Sequence, residues 1–477
     1  MNVVFVGGGS FRTLPIVRAV MADGKTLRHG EVRLVDFNLS RAETVGRLIM
    51  RAPEFAGLGC RVSWTDRLER ALPGADMVSV SFPVGSPMVG ALSNQACLDR
   101  GFFGSDQIAV SGAFLSLTGG TIILDIARKM ERLCPRAWLV DFANPVAVYS
   151  GMVNNHTKIR ALGICGGFAN HRWDLTRILF DKDAYCDEYH VAVAGINHLS
   201  FILRGTYRGQ DLRRMLSRRL DRPDWTPCRT PRFPRSEQAI RHGLSRIAEA
   251  YRRFGVIIFS TEGDGLMHLF FEEMRERMLR NYRPLTRAQI KRRVSEGAPN
   301  RERIDREFRG HLDQPLDAGF WAQGPLENPH FAANPADATV PIMRALAGTE
   351  RMWLVASLPS HGAVKGFKDR TVVEYSMMLD TRGVHPDHDL EVPDSVHGLT
   401  TALATHQTLL GDAIATRDPQ VFANALFAYP LFQNTRQAKA LWRDLLAIHA
   451  REIPAEFQRA KDYFINRPRA VRKEKRA

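Results

Sequence analysis

A thiol and an imidazole stand at the ends of short apolar runs, and the thiol could be a ligand, a nucleophile or a small hydrophobe. Cys165 closes LGIC within ALGICGGFANH, and His198 closes GINH. Alone, each has a plain explanation: a free cysteine is most often a small buried hydrophobe, and a loop histidine is most often held by a hydrogen bond. Asp106, in GSDQIAVSG, adds a carboxylate that either caps a helix or exchanges a proton. Asn144, in DFANPVAV, stands where a strand gives way to a turn.

A second set lies at the start of the chain. FVGGGSFRTLPIV joins a short apolar run to a helical pattern through Gly7, Gly9, Ser10, Phe11 and Arg12. Glycines there let backbone approach a pyrophosphate, and the helix start that follows attracts its negative charge. The full GxGxxG spacing is not met, because Arg12 stands at the last glycine position. The next strand-like run, EVRLVDFN, ends in Asp36, placed to accept the adenosine ribose hydroxyls and to repel a 2′-phosphate. The pair of signals predicts an NAD site in preference to NADP. The plain alternative is a glycine turn and a helix-capping acid.

The elements that must position these residues alternate. Strands are expected at Asn2–Val6, Glu31–Val35, Arg61–Ser63, Met77–Ser81, Trp138–Asp141, Ala161–Ile164 and Tyr189–Ala194. Helical patterns fall at Leu14–Met21, Asn38–Met50 and Gly120–Leu133. Alternation of this kind predicts an α/β fold with a mostly parallel, doubly wound sheet. Beyond about Gly205 Arg- and Pro-rich stretches lead into helices at Ser236–Arg253 and Leu266–Asn281. Strand character returns near Met352–Val355 and Val372–Tyr375, and helices follow from Leu399. The expected organisation is a nucleotide-binding domain over 1–200, a second domain over 201–465 and a basic mobile tail over 466–477.

Composition narrows the class. The chain has 477 residues, 44% hydrophobic and 25% charged, as in globular enzymes. No apolar run is read as a membrane span, and the start MNVVFVGGGS lacks the features of a signal peptide. Six scattered cysteines without a CxxC pair fit reduced thiols, so a cytoplasmic location is expected. The net charge of +15 is attributed to solvated helix faces and to the tail RPRAVRKEKRA, not to a nucleic-acid groove. No nucleic-acid or membrane partner is expected.

The ordered set GGGS, LVD, VSFPVG, SDQ, ANPVAV, LGIC and GINHL, with VVEYSMML and GVHP further on, resembles glycoside hydrolase family 4. These are NAD- and divalent-metal-dependent glycosidases, including 6-phospho-glucosidases, α-galactosidases and α-uronidases, and an exception to two-carboxylate hydrolysis. The resemblance implies a Rossmann-type domain followed by a lactate/malate-dehydrogenase-like α+β domain. It also implies transient oxidation at sugar C3, removal of the C2 proton, loss of the aglycone, addition of water and return of the hydride. Cys165 and His198 then match the metal ligands, usually of manganese, and Asp106 matches the general acid. Asn144 would contact both cofactor and substrate, and Asn197 the substrate. Family members are usually dimers or tetramers.

This sequence departs from the family around the base, whose tyrosine lies in a segment similar to YGYFVTE. Here the stretch is RFGVIIFSTEGDGLMH, with Tyr251 just upstream as the expected base and Glu262, Asp264 and His268 as others; His268 is also a substrate-contact candidate. Other readings of the same residues are a sugar-modifying NAD-dependent oxidoreductase or lyase, a 2-hydroxyacid dehydrogenase, and a non-catalytic NAD- or sugar-binding protein.

Overall fold

The first six strands follow the expected pattern almost to the residue: β1 (Asn2–Val6), β2 (Glu31–Val35), β3 (Arg61–Thr65), β4 (Met77–Val80), β5 (Trp138–Asp141) and β6 (Arg160–Gly163). They are seen in a computed structural model that describes residues 1–222, 225–226, 237–259, 263–296, 298–323, 337–431 and 435–464. The expected tail over 466–477 and Glu262 lie outside the described residues. The six strands pair in parallel in the order β3-β2-β1-β4-β5-β6. Strand order reverses between β1 and β4, which opens a crevice at their carboxyl ends, the usual seat of a ligand in such sheets. At the core of this half, β4 and β5 are buried throughout, as runs of apolar residues covered on both faces require.

The second group of strands is antiparallel: β7 (Tyr189–Ile196), β8 (Leu199–Tyr207), β9 (Gln210–Asp211), β10 (Met352–Pro359), β11 (Val372–Asp380) and β12 (Gly383–Pro386). Their order is β10-β11-β7-β8-β9, with β12 on the side of β11. β10 also lies beside β6, where Ser357 pairs with Gly163. The architecture is therefore a Rossmann-type doubly wound half followed by an α+β half whose strands pair antiparallel. What alternation alone did not foresee is that all twelve strands belong to one sheet. β10 and β11 also run several residues past their expected ends, because they pair along their full lengths from Met352↔Leu379 to Pro359↔Val372.

Helices cover this sheet. Thr13–Met21 is wholly buried behind β1. Leu39–Arg51 is capped by Asn38, whose side chain accepts from the Arg41 amide at 3.2 Å. The helix expected at Gly120–Leu133 starts ten residues earlier, at Val110, because VSGAFLSLTGG supplies small and apolar residues that pack closely. A Cβ at Gly119 would stand 2.3 Å from the Tyr149 hydroxyl, and one at Gly120 2.7 Å from Ile414. Extended in this way, Val110–Leu133 is long and apolar enough to cross a membrane, a run the sequence pattern did not bring out. About two thirds of its most apolar stretch is buried inside the fold, so it acts here as a core helix. The pattern at Leu266–Asn281 is two helices, Gly263–Leu269 and Phe271–Asn281, broken where Phe270 leaves helical geometry.

Candidate active site

One end of the site is built by the loop after β1. Gly7 has φ +85°, and a Cβ on it would fall 2.1 Å from the Ser81 carbonyl at the end of β4. Glycine is thus required both by the backbone conformation and by the close approach of the two loops. Asp36 accepts from the Gly9 amide at 3.0 Å and from the Asn38 amide at 2.9 Å, which fixes its carboxylate at the end of β2. The helix Thr13–Met21 begins with no side-chain cap, so its amino end is open to an anion. This cradle fits a dinucleotide. Ser10 accepts from the Arg12 amide through its hydroxyl at 3.4 Å. Phe11 and Arg12 turn their side chains toward the second half of the chain. Phe11 stacks on Phe308 at 3.5 Å between centroids, and Arg12 pairs with Asp337 at 2.7 Å.

The other end is assembled from five segments. Cys165, two residues past β6, brings its Sγ to 3.7 Å from His198 Nε2. His198 sits in the turn between β7 and β8 with φ +68°. Its Nδ1 faces Asp264 Oδ1 at 2.6 Å, at the start of the helix Gly263–Leu269. The other Asp264 oxygen accepts from Ser105 Oγ at 2.5 Å, and that hydroxyl in turn accepts from the Gln107 amide at 2.9 Å. Between them, Asp106 accepts from Asn144 Nδ2 at 2.8 Å, while Gln107 donates to the Asn144 oxygen. The sequence candidates Asp106, Asn144, Cys165 and His198 are thus joined through one set of contacts.

Electrostatics follow from this geometry. Burial would push the Asp264 carboxyl up, but the His198 charge and the hydrogen bonds from His198 and Ser105 outweigh it and hold it at about 2. Burial opposes a charge on His198 as well, yet Asp264 and Cys165 raise it well above the usual imidazole range. The donor set fits a metal ion. A thiolate and an imidazole held 3.7 Å apart could both face one borderline divalent ion, which would keep positions open for oxygen ligands. Asp264 faces the His198 ring from behind, as a carboxylate does in many metal centres.

Asn197 is buried and donates to Glu374 Oε2 at 2.7 Å; Ser200 donates to Glu374 Oε1 at 2.9 Å. Burial raises the Glu374 carboxyl despite these bonds. His268 is buried, its Nδ1 2.6 Å from the Asp264 carbonyl and its Nε2 2.6 Å from the Tyr429 hydroxyl, and burial holds its basicity down. Tyr251 lies half-buried in the helix Glu237–Phe254. Sequence reasoning missed Ser105, Gln107 and Glu374, and saw in Asp264 only a possible base. GSDQ and the acid opening a short helix were the available signals, but neither reveals a partner so distant in the chain.

Fold and side chains define the class first: a Rossmann-type enzyme with its polar machinery at the carboxyl ends of the parallel strands. Residues 2–180 match family 4 glycosyl hydrolase, and residues 193–432 match the family 4 glycosyl hydrolase C-terminal domain. The chain belongs to family 4 of the glycosyl hydrolases. It is 23% identical over 463 residues to a probable 6-phospho-beta-glucosidase of Bacillus subtilis, covering 96% of this chain and 98% of the relative. An alpha-galacturonidase of Thermoanaerobacter italicus is 24% identical over 478 residues, covering 93% and 95%. Among solved structures, a 6-phospho-alpha-glucosidase from gut microorganisms in complex with NAD and Mn2+ superposes with a TM-score of 0.76. Its identity is 17%, and 95% of this chain and 99% of that one are covered.

Proposed function

We propose that this family 4 glycosyl hydrolase is an NAD- and manganese-dependent glycosidase that cleaves its substrate by transient oxidation at sugar C3. The observation that carries this reading is the Cys165–His198 pair, separated by 3.7 Å and backed by Asp264, in a chain that also holds an Asp36–Gly9 nucleotide cradle. When bound, the dinucleotide would accept and return a hydride, and the cation would steady the negative charge that develops on the sugar oxygens.

The side chains of this protein have distinct tasks. Cys165 and His198 would hold the cation, and Asp264 would keep the His198 ring turned toward it. Gly7, Gly9, Ser10, Phe11 and Arg12 would line the pyrophosphate path, with Asp36 on the adenosine ribose. Asp106 is exposed and held by Asn144, an arrangement that leaves its second oxygen able to pass a proton to the leaving group. Asn144 would contact the sugar and the cofactor, whereas Asn197, buried and bonded to Glu374, and His268, buried between the Asp264 carbonyl and the Tyr429 hydroxyl, could act on the sugar only through neighbouring groups. Tyr251 remains the proposed base for the C2 proton. Asp264 and His268 already have their polar atoms engaged.

A screen of neutral, uronic and 6-phosphorylated aryl glycosides with NAD and manganese tests the reading. Aglycone release should require both cofactors and should be accompanied by deuterium exchange at C2. Stoichiometric accumulation of NADH without aglycone would replace it by an oxidoreductase. The reading further takes residues 1–200 and 201–465 as two functional parts, the protein as cytoplasmic, and the working form as a homodimer or homotetramer; light scattering reads the last.

A further inference from the structure

Next to Asp36 the chain carries a basic hollow that the proposed function does not use. It has a volume of about 330 Å³ including its open mouth, and Asn38, Ser40, Arg41, Thr44, Asp305 and Arg309 line it beside Phe11. Its position relative to the nucleotide cradle is fixed by Gly9. A Cβ there would lie 2.8 Å from Asp36 Oδ2 and 3.0 Å from Arg41 Cβ. The hollow therefore adjoins the carboxylate assigned to the adenosine ribose, on the side of the helix Leu39–Arg51. In nucleotide folds of this kind, an arginine beside that position accommodates a 2′-phosphate. Two arginines and two hydroxyl side chains at this place make most of an NADP site.

One residue stands against it. Asp305, carried by the helix Ala298–Gly310 from the second half of the chain, places its Oδ1 3.0 Å from Arg41 Nε. That helix is seated on the nucleotide loop by the Phe11–Phe308 stack, and Arg41 lies over the Phe11 ring at 5.2 Å. Asp305 thus neutralises Arg41 and adds a second carboxylate to the region a 2′-phosphate would enter. Such a phosphate brings between one and two negative charges, so it would meet two acids instead of one.

We infer that Asp305 is a specificity-determining residue that, together with Asp36, excludes NADP by neutralising Arg41. The inference rests on the dinucleotide reading above. Binding of NAD and of NADP to the full-length protein, followed by quenching of tryptophan fluorescence at low and high salt, tests it without any need for turnover. The wild type should bind NAD and discriminate strongly against NADP. Asp305→Asn should tighten NADP about tenfold and change NAD less than about threefold, with the gain shrinking as salt is added. Arg41→Ala in the Asp305→Asn background should cancel that gain. Asp305→Ser, measured in parallel, should behave as Asp305→Asn does and guards against a single variant that folds poorly. An unchanged NADP-to-NAD ratio in both Asp305 variants, or a gain that survives loss of Arg41, overturns the inference while leaving NAD binding intact. A wild type that binds neither nucleotide overturns the dinucleotide reading, and the inference with it.

Discussion

The two ends of the site are built in opposite ways. The nucleotide end comes from neighbouring pieces of chain: the turn after β1 and the acid after β2, joined by one bond between Gly9 and Asp36 across 27 positions. The Cys165–His198 end, proposed to hold the metal, comes from more remote pieces, with His198 reaching Asp264 across 66 positions and Ser105 reaching Asp264 across 159. A locally built site depends on turn chemistry that a short motif can specify. A site built from remote pieces depends on the packing of several elements, and it can be lost without any change in the residues that bear the chemistry.

Substitutions that touch one end should therefore spare the other. The largest effect is expected for Cys165→Ala and His198→Ala. Manganese affinity, measured by electron paramagnetic resonance, should fall by more than about 100-fold, while NAD binding stays within about twofold. Equal loss of both ligands would mean that the two ends are one unit. Next comes Gly265→Ala, which removes no polar atom. Its Cβ would lie 1.6 Å from the His198 carbonyl, so the turn or the helix must move. A loss of about 1–3 kcal/mol in thermal stability and a marked loss of manganese binding are expected, with the nucleotide site unaffected. An active, fully stable variant would show that the turn has slack the packing denies.

Asp264→Asn keeps shape and removes charge behind His198. Manganese should bind about 10- to 100-fold more weakly, and a titration that matches the wild type would remove Asp264 from the metal end. The smallest effect is expected for Asp36→Ala, about tenfold in NAD affinity by fluorescence titration, with manganese binding unchanged. If that substitution weakened manganese instead, the comparison itself would be wrong.

The same contrast explains what the sequence disclosed. β1, β2 and β5 were legible because short apolar runs ended by glycine or an acid leave few alternatives. Asp36 was legible because it ends the strand that follows the glycine turn it bonds to. The Cys165–His198 pair was legible only through resemblance, since nothing near either residue points to the other. Asp264 was visible as a carboxylate but not as the partner of His198, because that role depends on where the helix Gly263–Leu269 packs. Glu374 lies inside β11 in a run that otherwise reads as core, and only the fold shows that Asn197 and Ser200 satisfy it. Val110–Leu133 was half seen, because its first turns are rich in serine and glycine and look like a loop until the neighbours that need small residues are known.

The sheet changes from parallel to antiparallel at one place, where Gly163 of β6 meets Ser357 of β10. Cys165 follows the last parallel strand, and His198 follows β7 on the antiparallel side. A cation gripped by both would act as a rivet across that seam, tying the two halves of the molecule beyond the single pairing that joins their strands. Occupancy of the metal position would then be felt mechanically, as resistance to the halves being pulled apart, even in a protein that holds no sugar.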